Sequence, residues 1–208
     1  MPFAKASVPY LLYTGGATLL MWGGWRATRH PAFAAIGILA CVLLLAFLWF
    51  FRDPERVIPR DANLILAPGD GTVRKIHQGK TTQTIEIFLA VTNVHVQRAP
   101  VSGKVLSVKF TKGSYLMAFD DRAGTRNTRC ETWIAAKEGK LGLTQVSGWI
   151  ARKVECWLEP GQQVTRGARM GIIHMGSQVR VELPKRAKIM VKPDDPVTGG
   201  ETVIARWR

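Results

Sequence analysis

The sequence predicts a mainly β protein, a β-rich barrel or sandwich domain behind an N-terminal transmembrane anchor. Three observations carry this. Residues 33–51, FAAIGILACVLLLAFLWFF, form a 19-residue run without a charge, about the length that crosses a hydrocarbon core at roughly 1.5 Å per helical residue. From residue 53 onward, β-branched and apolar residues alternate with polar ones in short segments, the period of half-buried strands. Turn residues cut those segments at roughly 8–12-residue intervals and no helical period persists, as in closed or sandwich-like β architectures.

The elements follow in order. Residues 8–24, VPYLLYTGGATLLMWGG, are shorter and glycine-rich, and form either a second span or a segment lying in the interface. A cleaved signal peptide is disfavoured, because the stronger run lies far from the N-terminus and no small-residue cleavage site follows it. Arg26 and Arg29 in the linker between the two runs argue against a clean hairpin. Residues 1–52 thus read as the anchor and 53–208 as the folded domain. Within the domain, TIEIFLAVTNVHVQ and GKVLSVKF have the look of strands, and QVSGWIARKVECWLEPGQQVTRGARMGII of short strands divided by glycine turns. GIIHMGSQVRVELP, residues 171–184, reads as extended structure with Ile173, Met175, Val179, Val181 and Leu183 on one buried face. Pro193 and Pro196 mark a loop, and Gly199-Gly200 a turn before a last strand.

Charge is unevenly spread. Asp53 is the first acidic residue, and only Lys5, Arg26, Arg29 and Arg52 are basic before it. The remaining 25 Lys and Arg face 15 Asp and Glu, so the domain holds +10 of the total +14. Such a surface suits nucleic acid or an anionic membrane, and the adjacent anchor selects the membrane, with no nucleic-acid partner. Arg52, Arg56 and Arg60 just beyond the span place the domain on the cytoplasmic side of the cell membrane by the positive-inside tendency. Cys41, Cys130 and Cys156 make no Cys-x-x-Cys pair, which fits reduced structural thiols better than a disulfide or zinc site.

Few residues offer chemistry. His30, His77, His95 and His174 are scattered, none with a second histidine three to five residues away, so no metal site is expected. Ser177 lacks the second glycine and following helix of a nucleophile elbow. Yet Gly176-Ser177 sits inside a strand-like run, where glycine weakens the strand and admits close approach to the backbone. A bulge is the plain alternative.

Four stretches are informative together. FFRDPERVIP (50–59) follows the span, then APGDGTV (67–73), FLAVTNVHVQRAPVSGKV (88–105) and HMGSQVRVELP (174–184). In that combination and order the chain resembles the phosphatidylserine decarboxylase proenzymes, in their short form, from Phe50 to Pro184. The resemblance implies self-cleavage between Gly176 and Ser177 into residues 1–176 (β chain) and 177–208 (α chain), with Ser177 converted to a covalent pyruvoyl cofactor. Through a Schiff base, that ketone would decarboxylate phosphatidylserine from an anionic leaflet to phosphatidylethanolamine. The two chains would stay together as a heterodimer or within a higher oligomer.

The resemblance also implies roles for other residues. Asp70 matches the family aspartate of self-cleavage, where a carboxylate orients or charge-stabilises a base; a turn aspartate in Pro-Gly-Asp-Gly is the alternative. His95 would protonate the carbanion after carbon dioxide departs. Longer members have a second histidine where Arg98 stands here, and arginine is no base near neutral pH; His95 then serves both steps or another group helps. His174 reads as a pocket or packing residue, on the opposite face from Ser177 in a regular strand. Gln178 stands where a basic residue is expected, which leaves no phosphate role there. Arg98 and Arg180 are candidate phosphate partners by charge, with solvated surface arginines as the alternative. A rival from another class is a membrane-anchored hammerhead or lipoyl-like adaptor without catalysis, built on APVSGKV and EPGQQVTRGARMGII. It requires a long helical hairpin within residues 106–144.

Overall fold

The computed structural model describes residues 3–117, 120, 122–149, 152–174 and 177–208. The chain divides into two compact units, Met1–Glu55 and Arg56–Arg208. In the first, helices α1 (Val8–Thr28) and α2 (Pro31–Phe50) run side by side. Each helix carries a proline in its first turn, Pro9 and Pro31, where the missing N–H costs nothing. Arg29, with φ of 56°, turns the chain in the left-handed region, and its amide returns to Trp25 O. The pairing is antiparallel: Tyr10 stacks 5.2 Å from Phe47 and 5.0 Å from Phe51, while a Cβ on Gly37 would meet Met21 Cβ at 3.3 Å. The basic linker therefore closes a helical hairpin, which the sequence spoke against; Arg29 stacks over Trp25 at 4.9 Å instead of interrupting it. Among the described residues α2 alone is long and apolar enough to cross a membrane. It exposes Ile38, Leu39, Val42, Leu45 and Trp49, a surface that water does not favour.

The second unit is mainly β. Its elements are β1 (Leu64–Leu66), β2 (Gly71–Gln78), β3 (Thr82–Leu89), β4 (Val96–Arg98), β5 (Gly103–Thr111), the short α3 (Ala123–Arg126), β6 (Arg129–Ala136), β7 (Gly139–Val146), β8 (Val154–Cys156), β9 (Gln163–Val164), β10 (Arg169–Ile173), β11 (Ser177–Pro184), β12 (Lys188–Ile189), β13 (Pro196–Val197) and β14 (Val203–Arg206). An eight-stranded sheet of order β13-β2-β3-β11-β7-β6-β5-β9 curls into a half-barrel. Two three-stranded sheets, β4-β10-β8 and β1-β14-β12, complete the unit. All named pairs are antiparallel.

Alternation builds the core. Ile85, Ile87 and Leu89 of β3, Leu141 and Leu143 of β7, and Val179, Val181 and Leu183 of β11 are buried together, while Arg180 and Glu182 remain partly exposed on the other face. The segment 171–184 is not one strand, as its pattern suggested, but two. β10 ends at Ile173 between β4 and β8, and β11 begins at Ser177 between β3 and β7. The chain thus changes sheets between Ile173 and Ser177; Met175 and Gly176 lie outside the described residues. The described residues of 106–144 hold strands and the four-residue α3 in place of the long helical hairpin that the adaptor reading requires.

Candidate active site

Ser177 is the first residue of β11 and is fully buried. It pairs with Leu89, and the following residues pair Val179 with Ile87 on one side and with Gln145 on the other. Its side chain therefore shares the core face with these apolar neighbours. Among the described residues its Oγ has no hydrogen-bond partner. An unpaired buried hydroxyl costs about 1–3 kcal/mol, which sets Ser177 apart from a structural serine.

The Pro-Gly-Asp-Gly stretch forms a tight loop ahead of β2. A Cβ on Gly69 would meet Leu89, the partner of Ser177, at 3.4 Å and Gln97 at 4.0 Å. A Cβ on Gly71 would fall 2.1 Å from Phe88 O, so the loop admits no side chain there. Asp70 Oδ1 accepts from the Gly199 amide at 2.8 Å, and both carboxylate oxygens lie 2.9 Å from Arg56 Nη2. Asp70 is thus more than a turn residue: it clamps the C-terminal Gly199-Gly200 turn and neutralises an arginine whose side chain is largely buried.

That turn also reaches Arg98. A Cβ on Gly200, whose φ is +80°, would sit 2.9 Å from Arg98 Cδ. Arg98 is buried, with Nη1 donating to Gly167 O at 3.1 Å and its amide to Pro68 O at 2.7 Å. The solvated-surface reading of Arg98 is therefore corrected: β4 carries it inward beside the loop of Asp70. Arg180 lies elsewhere. Three residues beyond Ser177 it projects from the opposite face of β11, pairs with Glu86 at 2.6 Å and borders a polar pocket with Arg129, Glu131 and Glu182.

His95 enters β4 and is fully buried. Its Nδ1 lies 2.9 Å from Asn93 O; a carbonyl can only accept, so Nδ1 carries a hydrogen and this bond fixes the orientation of the ring. Its carbonyl accepts from Gln97 Nε2 and from the Ile173 amide at 3.3 Å. The last bond fastens His95 to the end of β10, four residues before Ser177. Gln97 in turn accepts at Oε1 from Gln145 Nε2 at 2.8 Å. Sequence reading missed both glutamines. Gln97 had a local signal, standing two residues after His95 on the same side of an alternating strand, whereas Gln145 had none.

His174 is buried and meets Glu155 Oε1 through Nε2 at 3.2 Å; Lys153 Nζ lies 2.6 Å from the same oxygen. Burial pushes the His174 imidazole below its ordinary pKa, with Glu155 pulling the other way. Burial would raise the Glu155 carboxyl, but hydrogen bonds from Lys153 and Trp157 leave it below the usual range. His174 thus packs as a neutral, anchored ring beside the strand switch.

The comparisons agree with this assembly. A family model described as phosphatidylserine decarboxylase matches residues 43–205. The phosphatidylserine decarboxylase proenzyme of Chlorobium limicola is 38% identical over 205 residues, covering 96% of this chain and 97% of its own. The proenzyme of Pelodictyon phaeoclathratiforme is 40% identical over 189 residues (87% and 89%), and that of Geobacter metallireducens 36% over 210 residues (98% and 95%). With most of its length matched from both directions, the chain belongs to the phosphatidylserine decarboxylase family.

Proposed function

We propose that this protein is a membrane-anchored carboxy-lyase that converts phosphatidylserine to phosphatidylethanolamine, after cutting itself between Gly176 and Ser177. The observation that carries the reading is the buried Ser177 hydroxyl at the start of a central strand, without a hydrogen-bond partner among the described residues. In the cut, Ser177 Oγ attacks the Gly176 carbonyl, the amide becomes an ester and the Ser177 amine is freed. Loss of the Ser177 Cα proton expels the Gly176 carboxylate, and water then displaces ammonia to leave a ketone. A pyruvoyl group at the new N-terminus supplies a carbonyl for amine condensation and an electron sink for loss of carbon dioxide. The donor set fits such a group, because a hydroxyl without a partner among the described residues gives up none of their bonds on becoming part of it.

The chain's own residues supply the rest. His95, with Nδ1 tied to Asn93 O, offers Nε2 as a proton carrier at a fixed position. Asp70 with Arg56 holds the Gly199-Gly200 turn against the loop that borders Leu89. Arg98 lies in the same neighbourhood and is the better candidate for headgroup phosphate than Arg180, which projects from the other face of β11. Residues 177–208 remain bound after cutting, because they supply β11 between β3 and β7, β13 beside β2, and β14 beside β1. The apolar hairpin in residues 1–52 anchors the domain of residues 53–208, whose positive charge faces an anionic cytoplasmic leaflet.

The test is the full chain in detergent mixed with phosphatidylserine vesicles, with headgroup products read by phosphorus NMR. Phosphatidylethanolamine is expected from the wild type and none from Ser177→Ala, which stays a single chain; turnover or cutting that survives the substitution refutes the proposal.

A further inference from the structure

Three buried side-chain atoms on one face of the large sheet have no hydrogen-bond partner among the described residues: Ser177 Oγ, Ser147 Oγ and Gln145 Oε1. All three residues are fully buried. Register explains why they meet. Directly opposed residues of an antiparallel pair project to the same face, and β11 sets Val179 against Gln145 and Gln178 against Val146. One further step in that register sets Ser177 against Ser147, whose amide continues the β6–β7 ladder by donating to Thr128 O at 2.9 Å. Gln145, two residues from Ser147, shares its face. Gln178 Oε1 is also buried without a partner, but alternation gives it the other face.

The orientation of Gln145 is fixed by its neighbours. The His95 carbonyl only accepts, so Gln97 turns Nε2 toward it and is left with Oε1, which also only accepts. Gln145 must then present Nε2, donated to Gln97 Oε1 at 2.8 Å and to Glu155 O at 3.3 Å. Reversing either amide would set oxygen against oxygen. The chain of amides, begun on a backbone carbonyl, ends in Gln145 Oε1 as an acceptor that no described residue supplies with a donor.

We propose that Gln145 Oε1 and Ser147 Oγ form an amine subsite that holds the substrate's nitrogen beside residue 177. The inference rests on the reading of Ser177 as precursor of the reactive carbonyl. Burial favours the neutral amine over the ammonium, and a neutral primary amine has two N–H donors and one lone pair. Two acceptors take the two hydrogens, which leaves the lone pair free to point at the carbonyl carbon. A carboxylate or phosphate, which only accepts, is turned away by Gln145 Oε1, so the headgroup enters amine first.

The experiment uses the full chain in detergent micelles, ethanolamine as the probe and cyanoborohydride as reductant. The amine nitrogen bonds to the carbonyl carbon, the oxygen leaves as water, and hydride from the reagent fixes the bond. Intact mass gives the fraction of the cleaved 177–208 fragment that carries the adduct, per cleaved chain, against ethanolamine concentration. Gln145→Met, similar in length and apolar, is expected to raise the half-trapping concentration about tenfold or more, and Ser147→Ala by about three- to tenfold, the range of one lost hydrogen bond. Half-trapping concentrations within twofold of wild type overturn the inference. Should Gln145→Met fail to fold or cut, Ser147→Ala, which removes one oxygen, decides alone. A wild type that yields no carbonyl-bearing fragment removes the reading of Ser177 and this inference with it, whereas normal trapping in wild type and variants removes the inference alone.

Discussion

Ser147→Ala is expected to stabilise the protein. The substitution deletes a buried hydroxyl that has no partner among the described residues and spares both backbone bonds, the amide to Thr128 O and the carbonyl accepting from Asn127 Nδ2 at 2.8 Å. An unsatisfied buried polar group costs about 1–3 kcal/mol, and the small void left by one oxygen returns part of that. A net gain of about 1 kcal/mol remains, which for a chain of this size raises the unfolding midpoint by roughly 2–4 °C. The assay is thermal unfolding of the full chain in detergent, without substrate, at a fixed scan rate, followed by the near-ultraviolet signal of its tryptophans. A midpoint that falls by several degrees would refute the reasoning, because it would mean that the hydroxyl is making a bond that holds the fold. Stability gained while amine capture is lost is the trade expected of a residue kept for function.

Other expectations follow from the same geometry. His95→Ala should lower carbon dioxide release from labelled phosphatidylserine, per cleaved chain, by about 10²–10⁴-fold, the usual worth of a positioned proton carrier; unchanged turnover would reduce His95 to packing. Asp70→Asn keeps an acceptor for the Gly199 amide but strips Arg56, 10% exposed, of its charge partner. The urea midpoint should drop by an amount equivalent to about 1–3 kcal/mol, and an unmoved midpoint would contradict the clamp. Burial holds the folded pKa of His174 below its ordinary value, so the unfolded chain takes up the proton first. The stability this contributes is full above about pH 6.5 and is lost as pH falls through the folded value. His174→Gln should therefore flatten the decline of the thermal midpoint on acidification, and identical pH profiles would refute it.

How much was legible in the sequence divides by range. Strand alternation gave the β class and the core face of β11, and an uncharged run gave the apolar α2, because each depends on neighbours within a few residues. The break between Ile173 and Ser177 was hidden: Ile173 and Val179 continue one period on paper, yet they belong to different sheets. Which strands flank a segment depends on pairings across the chain, and β11 joins residues 177–184 to 82–89 and 142–146. The same limit concealed Gln145 and Ser147, which look like ordinary polar positions in LTQVS until the β7–β11 register sets them beside Ser177. Charge alone argues for Arg98 at the surface; a buried arginine is tolerated here since Gly200 leaves room and Gly167 O accepts a hydrogen bond from its Nη1. The basic linker was misread for a similar reason, since a left-handed turn at Arg29 and a tryptophan face satisfy it.

The central claim is that the chain cuts itself at Ser177, and intact mass of the wild-type protein purified from membranes with a C-terminal tag tests it most directly. The account predicts two species, one comprising residues 1–176 and one comprising residues 177–208 plus the tag, the latter without a free amine and reactive toward a carbonyl reagent. A single chain at the full 23.0 kDa plus the tag, or a fragment that begins with an intact serine amine, would contradict it.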